Sequence, residues 1–240
     1  MRVPRLYVDA SLTLRQPTAL NEEQAHRLTR VLRLRTDAVI RVFNGDGDEY
    51  TCTLQRDGRH WCVLPADKSE HAIRSTTHIT LAQSITRSER MDFALQKAVE
   101  LGVACIQPIL AQRSTFKPQS KRLQNRQAHW QRIVIQACEQ CGRTDLPALL
   151  EPSPSQDWMA ANRSAIVLCA EAETSLSKLS LGGPHTQVLV GPEGGFSNDE
   201  IHTARTLGLP TASLGPRTLR TETTALVALT VLQMRFGDLS

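Results

Sequence analysis

At 240 residues with 40% apolar side chains, the chain can bury a substantial core as one large domain or two modest ones. Lys and Arg number 28 against 24 Asp and Glu, a formal charge of +4 that permits a polyanionic partner without requiring one. No apolar run approaches the ~20 residues of a membrane span, and the N-terminal residues lack a signal-peptide core. The expectation is a cytoplasmic protein with no membrane partner and with its six Cys reduced.

The first ~70 residues read as strands and turns. Strands are predicted over residues 39–43, 49–54 and 60–64, with turn signals at Asn44-Gly45-Asp46-Gly47 and Arg56-Asp57-Gly58. One helix interrupts them. Asn21 can cap it with Gln24 three residues on, and Ala25, Leu28 and Leu32 share a face. The polar stretch 67–75 is the best linker, which divides the chain into residues 1–71 and 72–240. Beyond it, apolar strands alternate with helices. Strands are predicted at 78–85, 104–110, 165–169, 187–190 and 211–214. A helix over 89–101 turns Met91, Leu95 and Ala98 inward and ends at Gly102; a longer one over 120–141 ends at Gly142. This rhythm predicts a parallel sheet covered on both faces.

Cys138-Glu139-Gln140-Cys141 fits a CxxC pattern, but no second ligand pair stands at zinc spacing, so two thiols packed along a helix are expected and no metal. Basic residues cluster at Arg27, Arg30, Arg33 and Arg35, and again at Arg113, Lys117, Lys121, Arg122 and Arg126. Each cluster suits either a solvated helix face or phosphate binding.

Two loops near the C-terminus carry the most information. The first, Gly191-Pro192-Glu193-Gly194-Gly195-Phe196-Ser197, follows an apolar strand; its glycines let a ligand approach the main chain, and Ser197 with Glu200 can form a capping box on the next helix. Free N–H groups at such a turn can bind a polar or anionic ligand, although a plain strand-to-helix turn uses the same residues. Neither a dinucleotide fingerprint nor a phosphate loop is present. The second loop, Leu214 to Thr223, sets Arg217 and Arg220 about Leu219 and puts Glu222 in a first helical turn. Glu222 there suits the helix dipole, and an Arg and a Glu at the mouth of a sheet also resemble a catalytic constellation. The helix over 223–234 is apolar nearly all round and is expected to be buried on most sides.

These loops resemble a known family. Together with Met91-Asp92, Gln96-Lys97-Ala98-Val99-Glu100-Leu101-Gly102-Val103, Ala137-Cys138-Glu139-Gln140-Cys141-Gly142-Arg143, Val31-Leu32-Arg33-Leu34, Phe43-Asn44-Gly45 and the start Arg2 to Val8, they are similar to the bacterial 16S ribosomal RNA uridine-N3 methyltransferases of the SPOUT class. The GPEGG loop alone is shared more widely in that class. Two departures stand out: Ala25-His26-Arg27 where paired histidines are common, and Gln112-Arg113-Ser114 where Glu-Arg-Ser is common.

The resemblance implies an α/β protein with an N-terminal PUA-like RNA-binding β-barrel and a C-terminal SPOUT domain containing a trefoil knot. It implies a homodimer acting on 16S rRNA of the small ribosomal subunit with S-adenosylmethionine. It puts the cofactor against Leu168, Ala170, Gly191, Glu193, Gly194, Gly195, Leu214, Gly215, Leu219 and Thr223. Methyl transfer to uracil N3 needs a base near the imide proton or positive charge near the carbonyl oxygens. Arg220 and Arg113 are the candidates for charge, Glu222 for orienting an Arg or accepting the proton, and Glu139 is an alternative acid. Arg2, Arg5, Arg30, Arg33 and Lys117 are the suggested RNA-phosphate contacts. The competing class is a non-catalytic RNA-binding assembly factor that keeps a nucleotide pocket.

Overall fold

The computed structural model describes residues 3–70, 73–114 and 120–239. The chain forms two compact units. One comprises Met1–Arg74 with Cys138–Leu146, the other Ser75–Ala137 with Pro147–Ser240.

The first unit is a five-stranded sheet built from β1 (Arg5–Tyr7), β2 (Thr18–Ala19), β3 (Val39–Phe43), β4 (Glu49–Asp57) and β5 (His60–Lys68) in the order β1-β3-β4-β5-β2. β1 runs parallel to β3, and the other pairings are antiparallel. The turn glycines do what the sequence requires of them: Gly45 and Gly47 sit at φ 88° and 98° between β3 and β4. Inward residues Leu6, Ile40, Val42, Leu54 and Val63 make the core, with Leu28 of the helix packed in. That helix, α1 (Glu22–His26), carries the expected Asn21–Gln24 capping box. It then widens into a π turn over Arg27–Val31, closed by Leu32 N–H to the Arg27 carbonyl. The wider turn breaks the expected helical face: Leu28 is buried, but Leu32 is 43% exposed.

Strand β5 continues to Lys68, and Ile73 bridges Arg143, so residues 67, 68 and 73 of the expected linker are strand or bridge. Segment Cys138–Leu146 lies far along the chain but clusters with this unit. Arg5 explains why. Its guanidinium pairs with Glu49 at 2.6 Å and donates to the carbonyls of Cys138, Glu139 and Arg143. Glu139 in turn accepts from the Tyr7 amide at 3.0 Å and pairs with Arg27.

The second unit is a seven-stranded parallel sheet. Its strands are β6 (His78–Ser84), β7 (Cys105–Leu110), β8 (Ala148–Leu149), β9 (Ser153–Pro154), β10 (Ile166–Leu168), β11 (His185–Val190) and β12 (Thr211–Ala212). The order is β12-β10-β11-β6-β7-β8, with β9 also on β7. The helices are α2 (Ser88–Glu100), α3 (Ser120–Cys141), α4 (Ser155–Ala161), α5 (Asn198–Thr206) and α6 (Thr221–Phe236). In α2, Met91, Leu95 and Ala98 are fully buried, as their spacing predicts. Adjacent strands β11 and β6 send their crossovers in opposite directions, β6 to β7 and β11 to the far-side β12. Such a reversal opens a crevice at the carboxyl ends of the two strands.

Candidate active site

A cavity of about 830 Å³ opens at that edge. Its wall is built from the segments after β10 (Leu168 to Glu171), after β11 (Val190 to Asn198) and after β12 (Ala212 to Thr224), with Arg90 and Arg113 contributed after β6 and β7. The apolar residues Leu168, Val190, Phe196, Ile201, Leu214 and Leu219 stand in this wall beside Gly191, Gly194, Gly195 and Gly215. The amides of Glu193, Gly194, Gly215 and Leu219 donate to no group among the described residues. The wall thus sets apolar residues beside loop amides that have no partner among the described residues, the mixture of a small-molecule site.

The first loop is tied down along its length. Thr221 Oγ1 donates to the Gly191 carbonyl at 2.6 Å and accepts from Gln83 Nε2 at 2.9 Å. Arg113 Nη1 donates to the Gly194 carbonyl at 3.2 Å. Gly195 has φ 65°, a left-handed angle that favours glycine, and its amide closes the turn onto the Pro192 carbonyl. Ser197 and Glu200 form the expected capping box on α5. Glu200 is 1% exposed and does more than cap: its carboxylate also accepts from the Gln112 amide at 3.0 Å and from Ser155 Oγ at 2.5 Å. One buried acid therefore holds together three segments distant in sequence.

Most of the expected site residues line this cavity. Leu168, Ala170, Gly191, Glu193, Gly194, Gly195, Leu214, Gly215, Leu219, Arg113 and Arg220 are all in the wall. Arg220 is the N-cap residue of α6, exposed, with no side-chain partner among the described residues. Thr223 stands apart from the other expected contacts. It is exposed and outside the wall, whereas Thr221 and Thr224 are in it, because one helical turn brings residues three apart onto the same side. Glu222 is also outside the wall. It is 9% exposed, its Oε1 lies 3.9 Å from Arg90 Nε, and its Oε2 is buried without a partner.

Among the RNA-contact candidates, Arg2 and Lys117 lie outside the described residues, and Arg30 and Arg33 are exposed. Arg5 is 9% exposed, and its donors are committed to Glu49 and three carbonyls. Glu139 is likewise engaged within the first unit, by Tyr7 and Arg27. In the CxxC pair, burial pushes the Cys138 thiol up to about 12, the reverse of what a nucleophilic or redox cysteine requires.

Sequence reasoning missed Gln83, Arg90 and the Cys169–Glu171 pair. The Cys169 thiol donates to Glu171 Oε2 at 2.8 Å in the cavity wall. Burial holds this thiol above its ordinary value, and its hydrogen bond keeps the Glu171 carboxyl below its own. The available signal was positional: Gln83, Cys169 and Glu171 stand at or just beyond the carboxyl end of a parallel strand, and Arg90 in the first turn of the helix that follows one.

Comparison with known proteins follows the same lines. The RNA methyltransferase domain family matches residues 74–233, and the RNA methyltransferase PUA domain family matches residues 20–62. A parallel α/β unit with this cavity, preceded by a PUA domain, is the architecture of an RNA methyltransferase. Over 243 residues the chain is 32% identical to Ribosomal RNA small subunit methyltransferase E of Buchnera aphidicola subsp. Schizaphis graminum, covering 100% of this chain and 99% of that protein. The crystal structure of the enzyme of that name from Neisseria gonorrhoeae, bound to S-adenosyl methionine, superposes with TM-score 0.90 at 33% identity over 100% of both chains. A Legionella pneumophila protein described as a methyltransferase, solved with bound SAM, gives TM-score 0.93 at 34% identity over 99% of this chain and 100% of that one. The chain belongs to the Ribosomal RNA small subunit methyltransferase E family.

Proposed function

We infer that this protein is an S-adenosylmethionine-dependent methyltransferase of small-subunit ribosomal RNA, and that its acceptor is N3 of a specific uridine in 16S rRNA. The observation that carries the reading is the cavity itself, in which unpaired loop amides and apolar walls converge at the reversal point of the sheet. These groups suit the cofactor's adenine ring and polar tail. The residues that would hold it are Leu168, Ala170, Gly191, Gly194, Gly195, Leu214, Gly215 and Leu219, with Glu193 offering a carboxylate. When bound, the cofactor supplies an electrophilic methyl group.

The chain's own task is to hold the acceptor in line, exclude water and stabilise charge. Uracil N3 is a weakly acidic imide, and its anion is the useful nucleophile. Arg220, exposed in the wall and uncommitted, supplies positive charge to the carbonyl oxygens as the N3 proton passes to bulk solvent, before the methyl group is transferred to the N3 anion. Arg113 contributes from just beyond the carboxyl end of β7. Glu222 acts by orienting a cation, since it stands outside the wall with Arg90 as its ion partner. N3 is hidden in paired RNA, so the target base is single-stranded or flipped out.

In this reading the first unit is a PUA-like barrel that binds RNA, and the cofactor loops of the second unit thread a trefoil knot. The enzyme works in the cytoplasm as a homodimer; no helix among the described residues is long and apolar enough to cross a membrane. Support for the dimer comes from α6. Its Leu226, Val227 and Val231 are only partly covered within one chain, and Met234 is 60% exposed. Mass spectrometry of rRNA digests from cells with and without the protein tests the reading. A 3-methyluridine in 16S rRNA should vanish on deletion and return with the wild-type chain. Unchanged rRNA, with cofactor bound stoichiometrically, would favour the non-catalytic assembly factor.

A further inference from the structure

We propose that Arg90 is a positioning residue that clasps the two cofactor loops together, a role that rests on the reading of the cavity as a cofactor site. Arg90 lies in the first turn of α2, where a helix N-terminus favours acids and disfavours cations. Its residue type therefore runs against its own helix, and the reason must lie outside it. Two acids supply that reason. Arg90 Nη1 is 3.4 Å from Glu193 Oε1, at the centre of the first loop, and Arg90 Nε is 3.9 Å from Glu222 Oε1, in the turn that follows the second loop.

The side chain is 34% exposed and forms part of the cavity wall. Glu222 is 11% exposed at its side chain, has Arg90 as its one ion partner among the described residues, and keeps a buried oxygen without a hydrogen bond. An acid so placed needs a neighbouring cation. Arg90 thus meets the demand of Glu222 while reaching the tip of the other loop. The same strand end ties the loops a second time, through Gln83 to Thr221 to the Gly191 carbonyl. Gln83 ties the base of the first loop to α6, and Arg90 ties its tip to the same helix turn. Since the cofactor cavity lies between the loops, their spacing sets how well it fits its ligand.

The test uses the full-length protein, S-adenosylmethionine alone in calorimetry, and rRNA methylation kinetics. Arg90→Ala should weaken cofactor binding about tenfold, with KM for RNA within twofold of wild type. Arg90→Lys, which keeps the charge, should recover most of the loss. Glu222→Gln, at the acid outside the cavity wall, should weaken binding in the wild-type background but add little to Arg90→Ala, because the partner is already gone. Unchanged cofactor affinity in Arg90→Ala overturns the proposal, as do additive effects of the two substitutions. A raised KM for RNA with normal cofactor affinity would instead make Arg90 an RNA contact. If the wild-type protein binds no S-adenosylmethionine, the cofactor reading itself fails, an outcome distinct from any behaviour of Arg90→Ala.

Discussion

Two arginines show how one residue type serves opposite ends. Arg220 is exposed in the cavity wall, and Arg5 is a buried residue of β1. If Arg220 stabilises charge on the acceptor base, Arg220→Ala should lower kcat on the order of 100-fold while leaving cofactor affinity nearly unchanged. Near-normal turnover by a folded variant would remove it from the mechanism. Arg5→Ala should act on stability instead. It leaves the Glu49 carboxylate, 3% exposed at its side chain, with the 3.5 Å contact to Arg41 as its one remaining ion pair among the described residues, and it releases three carbonyls. Breaking a buried pair from one side costs about 3–5 kcal/mol. Denaturant titration should show the loss, and a variant as stable as wild type would mean the buried network contributes little.

Helices and strands differ in how far local sequence dictates them. The α2 stripe was readable because each inward residue meets its neighbours at fixed helical spacing, and the α5 cap because Ser197 and Glu200 are local partners. β8 and β9 were not readable: each has two residues and exists only by pairing with β7. The π turn after α1 was also hidden, since nothing in Arg27–Val31 departs from ordinary helix composition. In the site, glycines and the caps identified the loops, but Gln83 and Arg90 matter through partners more than 100 residues away. Helix α6 was expected to be buried on most sides, yet one chain covers it unevenly. Ala225, Ala228, Leu229 and Leu232 are fully buried, while Leu226, Val227 and Val231 are partly open. If a second copy covers the open side, Leu226→Glu should give a monomer with native circular dichroism. Leu229→Ala should keep the dimer but lose about 2–5 kcal/mol of stability. A wild-type chain that is monomeric at micromolar concentration by light scattering would end the dimer proposal.

For the whole molecule, charge is spread thinly, with a net of +4, so RNA affinity must come from local arrangement rather than bulk attraction. The described cations divide by their partners. Arg5 and Arg27 are held by Glu49 and Glu139, and Arg74 by Asp48, whereas Arg30 and Arg33 are exposed and have no such partner. A cation already paired in the fold gains little from a phosphate. A free one releases counterions from the RNA when it binds, and that release sets the salt dependence. Affinity for a 16S rRNA fragment should therefore fall steeply with salt. Arg30→Ala and Arg33→Ala should each reduce the slope of log affinity against log salt by roughly 0.7–0.9. Arg27→Ala should change it much less, because its charge is spent on Glu139. Slopes measured by filter binding that stay at the wild-type value in both exposed-residue variants would show that this face is only solvated, and would move RNA recognition to other cations of the chain.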